Sequence, residues 1–336
     1  MPTSLRQMRA LLCPAYGGPE VLSVARVDVP TPAKGQLLVR VEAAGLNFAD
    51  LVLLKGEYQD QPEPPFVPGA EVCGEICAMP DPVEGFSIGD RVMGQVRAGA
   101  YAEYAVMDPR QSVRLSVDMP GTEAGAFFIN YGTGYSALVQ RASAIAGNSV
   151  LILGAAGGVG LATLQIAKAL GMTVVADCRG SEKQALARVH GADLVIDHTS
   201  PDFRDEVRAI TGGAGCDVAI DMIGGEATRA ALRCIGWCGR IVIIGFAGGA
   251  PHLIPANHLL VKNCSVIGHW WGDYHWRDRT QLDAAFDHLF RLYEKRLIRP
   301  VVSEVLALDR IPEGLRRYAA RTVLGKLVAM PSRHGN

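Results

Sequence analysis

Residues 150–160 read Val-Leu-Ile-Leu-Gly-Ala-Ala-Gly-Gly-Val-Gly. The four apolar residues Val150–Leu153 end in a glycine-rich turn, which opens into an apolar-periodic stretch, Val159–Leu170, that reads as a helix. Strand, glycine turn and helix in that order form the pyrophosphate cradle of a dinucleotide-binding βαβ unit. Absent side chains let the backbone approach the phosphates, and the helix N-terminus offers N–H donors and the positive end of its dipole. The strict G-x-G-x-x-G spacing needs glycine at 155, 157 and 160, and position 155 is Ala. The flanking strand and helix restore what the bare motif lacks; the alternative is an ordinary tight turn.

The rest of the chain fits around this unit. From about residue 127, strands and helices alternate. Strands are expected at Val150–Leu153, Thr173–Ala176, Leu194–Ile196, Val218–Asp221, Arg240–Ile244 and Ser265–Gly268, with helices near 159–170, 182–190, 202–211 and 226–235. That rhythm implies an α/β, doubly wound parallel sheet of the Rossmann type. Residues 1 to about 125 instead carry short alternating runs such as Leu37–Val41, Val72–Ile76 and Arg91–Met93. Gly/Pro breaks separate them, as expected of a compact β domain. A helical pattern, Thr280–Arg296, precedes Pro300, and the closing strand, helix and strand (Val301–Ala307, Pro312–Ala320, Gly325–Ala329) are expected to rejoin the β domain. The expected division is 1–126 with 300–336 as a mainly β substrate domain and 127–299 as the dinucleotide-binding domain, substrate meeting nicotinamide in the cleft between them.

Bulk properties exclude several classes. A chain of 336 residues exceeds the size at which one core keeps growing. Net charge is −1 and no basic block occurs, so nucleic acid is not an expected partner. The longest apolar run, Val150–Leu164, is broken by glycines and too short to span a membrane, and the segment around Arg6 and Arg9 lacks a signal-peptide core. A soluble, cytoplasmic protein is expected. The eight cysteines do not make a disulfide scaffold. Cys73/Cys77 and Cys234/Cys238 have C-x-x-x-C spacing without a histidine cluster and read as packing residues. His252, His258 and His269 read as structural.

Cofactor choice should be written at the end of the second strand of the βαβ unit. There Thr173–Ala176 runs into Asp177-Cys178-Arg179-Gly180-Ser181-Glu182-Lys183. An acid at this position accepts from the ribose hydroxyls and favours NAD, whereas Arg or Lys pairs a 2′-phosphate and favours NADP. Both signals are present. The balance goes to NADPH, because Arg179, Lys183 and Ser181 can surround a phosphate whereas Asp177 can point out of the pocket.

At several further places the chain resembles the medium-chain dehydrogenase/reductase superfamily, and within it the zinc-free quinone oxidoreductase (zeta-crystallin-like) branch. The residues carrying the resemblance are Ala44–Asp50, Val67–Glu71, Gly89–Val92, Gly99–Tyr104, Tyr131–Thr133, Ala155–Gly160 and Gly325-Lys326. It implies a GroES-like, mainly β catalytic domain beside the Rossmann domain, and an NADPH-dependent reductase of quinones or α,β-unsaturated carbonyls. Zinc alcohol dehydrogenases of the superfamily place a cysteine ligand where this chain has Asn47 and a histidine where it has Ala70; Glu71 remains. No metal is therefore expected. The resemblance places Asn47 near the nicotinamide ribose, Tyr131 and Thr133 near the nicotinamide end, and Tyr58 on the pocket wall. It also places Ala156, Gly157, Gly158 and Val159 at the pyrophosphate, and the Gly245-Phe246 turn and Lys326 among the cofactor contacts. Relatives dimerise through the sixth strand, so a homodimer is implied.

Plainer readings stand beside these. Asn47 can cap a helix starting at Phe48, Glu71 can pair with a core Lys or Arg, and Tyr131 can be a packing residue at the domain hinge. The aromatic group Trp270, Trp271, Tyr274 and Trp276 can line the acceptor pocket or pack at the sheet edge. Rival functions are an enoyl-thioester reductase of the same fold and a non-catalytic, crystallin-like protein that keeps a cofactor site or binds RNA.

Overall fold

The computed structural model describes residues 7–251 and 253–332, with His275 described by its backbone alone. Arg6 and His252, named above, lie outside the described residues. The chain packs as two units, Met1–Ile129 with Pro300–Asn336, and Asn130–Arg299.

In chain order the first unit contributes β1 (Gln7–Leu12), β2 (Ser23–Asp28), β3 (Leu37–Gly45), α1 (Phe48–Leu54), β4 (Glu71–Ala78), β5 (Arg91–Gln95), β6 (Tyr104–Met107), β7 (Ser112–Arg114) and α2 (Gly121–Ala124). After α3 (Phe128–Tyr135) and a π-helical turn (Ser136–Arg141), the second unit runs β8 (Ser149–Leu153), α4 (Gly158–Ala169), β9 (Thr173–Asp177), α5 (Ser181–Val189), β10 (Leu194–Ile196) and α6 (Phe203–Ile210). It continues with β11 (Cys216–Asp221), α7 (Gly225–Cys234), β12 (Ile235–Ile243), α8 (Ala256–Lys262), β13 (Ser265–Gly268), α9 (Trp271–Arg277) and α10 (Arg279–Glu294). The chain then returns to the first unit with β14 (Val302–Leu306), α11 (Ile311–Ala319) and β15 (Lys326–Ala329).

The second unit holds a six-stranded parallel sheet in the order β10-β9-β8-β11-β12-β13. The order reverses at β8, so the turn after β8 opens where an open α/β sheet leaves a crevice for ligand. β8 is buried along its whole length, which is why it reads as an unbroken apolar run and not as an alternating one. Its Leu151 and Leu153 pack with Val175, Ala219 and Ile241 of neighbouring strands. Each such fully buried side chain contributes roughly 1.5–3 kcal/mol.

In the first unit, antiparallel strands build a seven-stranded sheet, with β14 and β15 from the end of the chain pairing in parallel and β15 then joining β3 antiparallel. Leu37, Val39, Tyr101, Met107, Leu315 and Leu327 share its core. The closing segment is therefore built into this sheet, and Lys326 enters beside Gly45 on β3.

Three local features depart from expectation. β12 begins at Ile235, five residues before the expected Arg240, because its pairing to β11 shifts register between Cys216 and Val218. Cys238 sits in that irregularity with φ 57° and is exposed beside Trp237, so it is not a packing residue. The aromatic group near 270 belongs to a helix, α9, and its Trp271 lies on the backbone of Gly132, where a Cβ would come within 2.5 Å of the indole. Among the described residues no helix is long and apolar enough to cross a membrane.

Candidate active site

The glycine turn of the second unit is built as a cradle. Gly154 takes φ +80°, and the N–H groups of Gly154 and Ala155 donate to the Asp177 carbonyl at 3.2 and 3.1 Å, tying the turn to the end of β9. The left-handed position is thus Gly154, which is why Ala is tolerated at 155. Gly160 allows α4 to pack on the turn, since a Cβ there would lie 2.3 Å from the Gly154 carbonyl oxygen. A Cβ at Gly158 would come 2.6 Å from the Asn130 carboxamide, which would have to shift to admit it. Gly157 differs. As the N-cap of α4 it has nothing nearer than 3.6 Å, so packing alone does not demand glycine there. An open backbone at a helix N-terminus is what a pyrophosphate requires. Ala156 and Val159 flank it.

At the end of β9, Asp177 is 2% exposed. Its Oδ1 accepts the His198 backbone N–H at 2.8 Å, and His198 Nδ1 lies 3.0 Å from both carboxylate oxygens. The carboxylate beside it raises the His198 pKa above its ordinary value, against the opposing effect of burial. Arg179 is exposed two residues further on, and Lys183 is half-buried in the first turn of α5.

Tyr131 and Thr133 lie on α3, both buried. The Tyr131 hydroxyl donates to Gln165 Oε1 at 2.7 Å, and the same oxygen accepts the Arg299 N–H at 2.8 Å. Phe246 is 44% exposed in the turn after β12.

The first unit carries a second constellation. Lys326 Nζ lies 2.7 Å from Glu71 Oε2 and donates to Asn47 Oδ1 at 2.6 Å. Asn47 Nδ2 donates to Glu71 Oε2 and to the Gly45 carbonyl, each at 3.2 Å, and Glu71 Oε1 accepts the Ile129 N–H at 2.8 Å. Lys326 and Glu71 are 2% and 0% exposed. Gly45 makes room for this packing, because a Cβ there would come 2.4 Å from Glu71 Oε2. Asn47 is also the N-cap residue of α1, its N–H bound to Asp50 Oδ2 at 2.7 Å. Asn47 therefore does cap α1, and Glu71 does pair with a core lysine. Tyr58, by contrast, packs against the apolar core of this unit.

Two residues were not singled out from sequence. Asp50 is fully buried below the Asn47 cluster and accepts the Tyr101 hydroxyl at 2.6 Å, while its Oδ1 has no hydrogen-bond partner among the described residues. Burial pushes its carboxyl up to about 6, against the downward pull of the Tyr101 and Asn47 hydrogen bonds. Its spacing three after Asn47 is a capping-box signal that could have marked it. His198 carries no local signal at all.

Comparison with known proteins agrees with this architecture. A family model described as a zinc-binding dehydrogenase matches residues 158–288, and one described as an alcohol dehydrogenase GroES-like domain matches residues 33–117. A quinone oxidoreductase-like protein 2 homolog of Nematostella vectensis is 35% identical over 97% of this chain and 90% of its own length. Among solved structures, a Pseudomonas syringae quinone oxidoreductase superposes with a TM-score of 0.89 at 29% identity, covering 96% of this chain and 100% of that one. A mycobacterial protein solved as a complex with NADPH superposes with a TM-score of 0.90 at 28% identity, over the same shares.

Proposed function

The chain belongs to the zinc-free quinone oxidoreductase branch of the medium-chain dehydrogenase/reductase superfamily, and we propose that it is an NADPH-dependent reductase that delivers hydride to a quinone or an α,β-unsaturated carbonyl without a metal. The observation that carries this reading is the Asn47–Glu71–Lys326 cluster. Of the three positions compared above with the zinc enzymes, 47, 70 and 71, Glu71 is the one with a carboxylate, and that carboxylate is engaged by an ammonium, an amide and a backbone N–H. Asn47 and Ala70 offer neither thiolate nor imidazole. A divalent cation placed there would also meet the Lys326 ammonium. The donor set does not fit a catalytic zinc.

Without a Lewis acid, an alkoxide is poorly stabilised, so alcohol oxidation is disfavoured and an acceptor that is already electrophilic is favoured. When bound, NADPH supplies the hydride. The protein's share is binding and orientation. The backbone at Ala156, Gly157, Gly158 and Val159 holds the pyrophosphate, Arg179 and Lys183 attract the 2′-phosphate, and Thr133 and the Gly245-Phe246 turn bound the nicotinamide end. Lys326 fixes the Asn47 amide with Oδ1 toward the ammonium and Nδ2 toward Glu71, leaving a second lone pair on Oδ1 for a ribose hydroxyl. Tyr131 supports the site through its ring, since its proton is committed to Gln165, and the proton that follows hydride comes from solvent. The outer strand of the parallel sheet, β13, is where a second copy of the chain would pair to form a homodimer.

The test is NADPH oxidation by purified protein with a simple 1,4-quinone and an enone, with metal content assayed on the same sample. Turnover that persists at substoichiometric zinc and in chelator is expected. Activity that tracks added zinc, or no NADPH binding, would overturn the reading.

A further inference from the structure

Asp177 is the last residue of β9, in register with Leu153 of β8 and Ile196 of β10. This is the place from which the acid of an NAD-binding unit reaches the adenosine ribose. A carboxylate that reads a ribose must present an oxygen to the pocket before the cofactor arrives. Asp177 presents none. Its side chain is 3% exposed, and the His198 side chain beside it is 11% exposed. His198 follows β10, the neighbouring outer strand, and approaches Asp177 twice, through its backbone N–H and through Nδ1. A carboxylate only accepts, so Nδ1 carries the proton and both oxygens are drawn to it. Exposed Arg179 and half-buried Lys183 remain on the segment that follows.

We propose that His198 is a specificity-determining residue: it sequesters the Asp177 carboxylate, so a free 2′-hydroxyl loses its acceptor while a 2′-phosphate meets Arg179 and Lys183. The chain thereby reads NADPH although it carries the acid typical of an NAD site. A released Asp177 would act in both directions, accepting from the ribose hydroxyls of NADH and repelling the phosphate of NADPH. The inference rests on the NADPH-dependent reading above and explains how that preference arises in this chain.

Fluorescence titrations with NADPH and NADH on the intact protein, on His198→Ala, on His198→Asn and on Asp177→Asn test it. The wild type is expected to favour NADPH. In His198→Ala the NADPH-to-NADH affinity ratio should fall by about tenfold or more, with NADH binding gaining. His198→Asn places an amide N–H close to where Nδ1 stood and should keep the wild-type ratio. Asp177→Asn should leave NADH affinity within about twofold, because a sequestered carboxylate has no ribose contact to lose; this variant also decides the matter if His198→Ala fails to fold. An unchanged ratio in His198→Ala, or an Asp177→Asn that weakens NADH about tenfold, overturns the inference while leaving NADPH dependence standing. A wild type that binds NADH as well as NADPH overturns the NADPH preference itself.

Discussion

Replacing Lys326 with Met removes an ammonium of similar length from a site that is sealed from water. The carboxylate of Glu71, 0% exposed, then keeps the Ile129 N–H and Asn47 Nδ2 but loses the ammonium that pairs with it, and Asn47 Oδ1 loses the Lys326 donor. Breaking one side of a buried pair costs about 3–5 kcal/mol, because the remaining charge is left desolvated. That is a large part of the roughly 5–15 kcal/mol that holds a domain together. Glu71→Gln combined with Lys326→Met removes both charges and should recover at least half of the loss. The choice of probe matters, since all four tryptophans, Trp237, Trp270, Trp271 and Trp276, belong to the second unit and their fluorescence reports the wrong one. Hydrogen exchange of peptides covering β3, β4 and β15 reads the affected sheet directly. At about 1.4 kcal/mol per factor of ten, the slowest amides of Lys326→Met should exchange between about a hundredfold and a few thousandfold faster than wild type. Exchange within about tenfold of wild type, or a double variant no better than the single one, would refute the view that these two charges hold one another in place.

Gly157 and Gly160 of the cradle should separate folding from binding. Gly157→Ala has no close neighbour to displace, so unfolding should shift by no more than about 1 kcal/mol, the usual N-cap effect, while NADPH affinity by fluorescence drops at least about tenfold; Gly160→Ala drives a Cβ against backbone and should lower stability by about 1–3 kcal/mol as well. Asp50, with its carboxyl raised from 3.8 to about 6, makes stability of the first unit fully available below pH 3.8 and progressively lost as pH rises through about 6. The shift corresponds to about 3 kcal/mol, so Asp50→Asn should gain on wild type by about that amount between pH 4 and pH 7 in urea titrations followed by circular dichroism; a constant difference would disprove it. Tyr131→Phe removes a buried hydroxyl whose acceptor keeps the Arg299 N–H, and is expected to cost about 1 kcal/mol of stability while leaving turnover within a few-fold; loss of turnover by about a hundredfold would make Tyr131 a proton donor after all.

Much of the scaffold was legible because its signals are local. Val150–Leu153 is apolar without alternation because β8 is covered on both faces, and the glycines behind it are those a tight turn and a close helix demand. The strands at Leu194–Ile196 and Ser265–Gly268 fall where apolar runs and breakers put them. Less of the irregular structure could be read this way. The start of β12 is displaced by a register shift against β11, and α9 is a helix of aromatic residues held by packing on Gly132, neither of which leaves a periodic trace.

The candidate site divides along the same line. Residue order and spacing by themselves determined the strand, glycine turn and helix of a dinucleotide-type cradle, and the family resemblance set Asn47 and Ala70 where zinc enzymes of the superfamily carry ligands. Only the tertiary structure decided what the charged groups do. Lys326 meets Glu71 across 255 residues of chain and Asn47 across 279, and His198 reaches back over 21 residues to close on Asp177. Secondary structure is set by neighbours a few residues apart. The partner of a buried charge is set by which strands the sheet brings side by side, and that pairing exists only once the chain has folded.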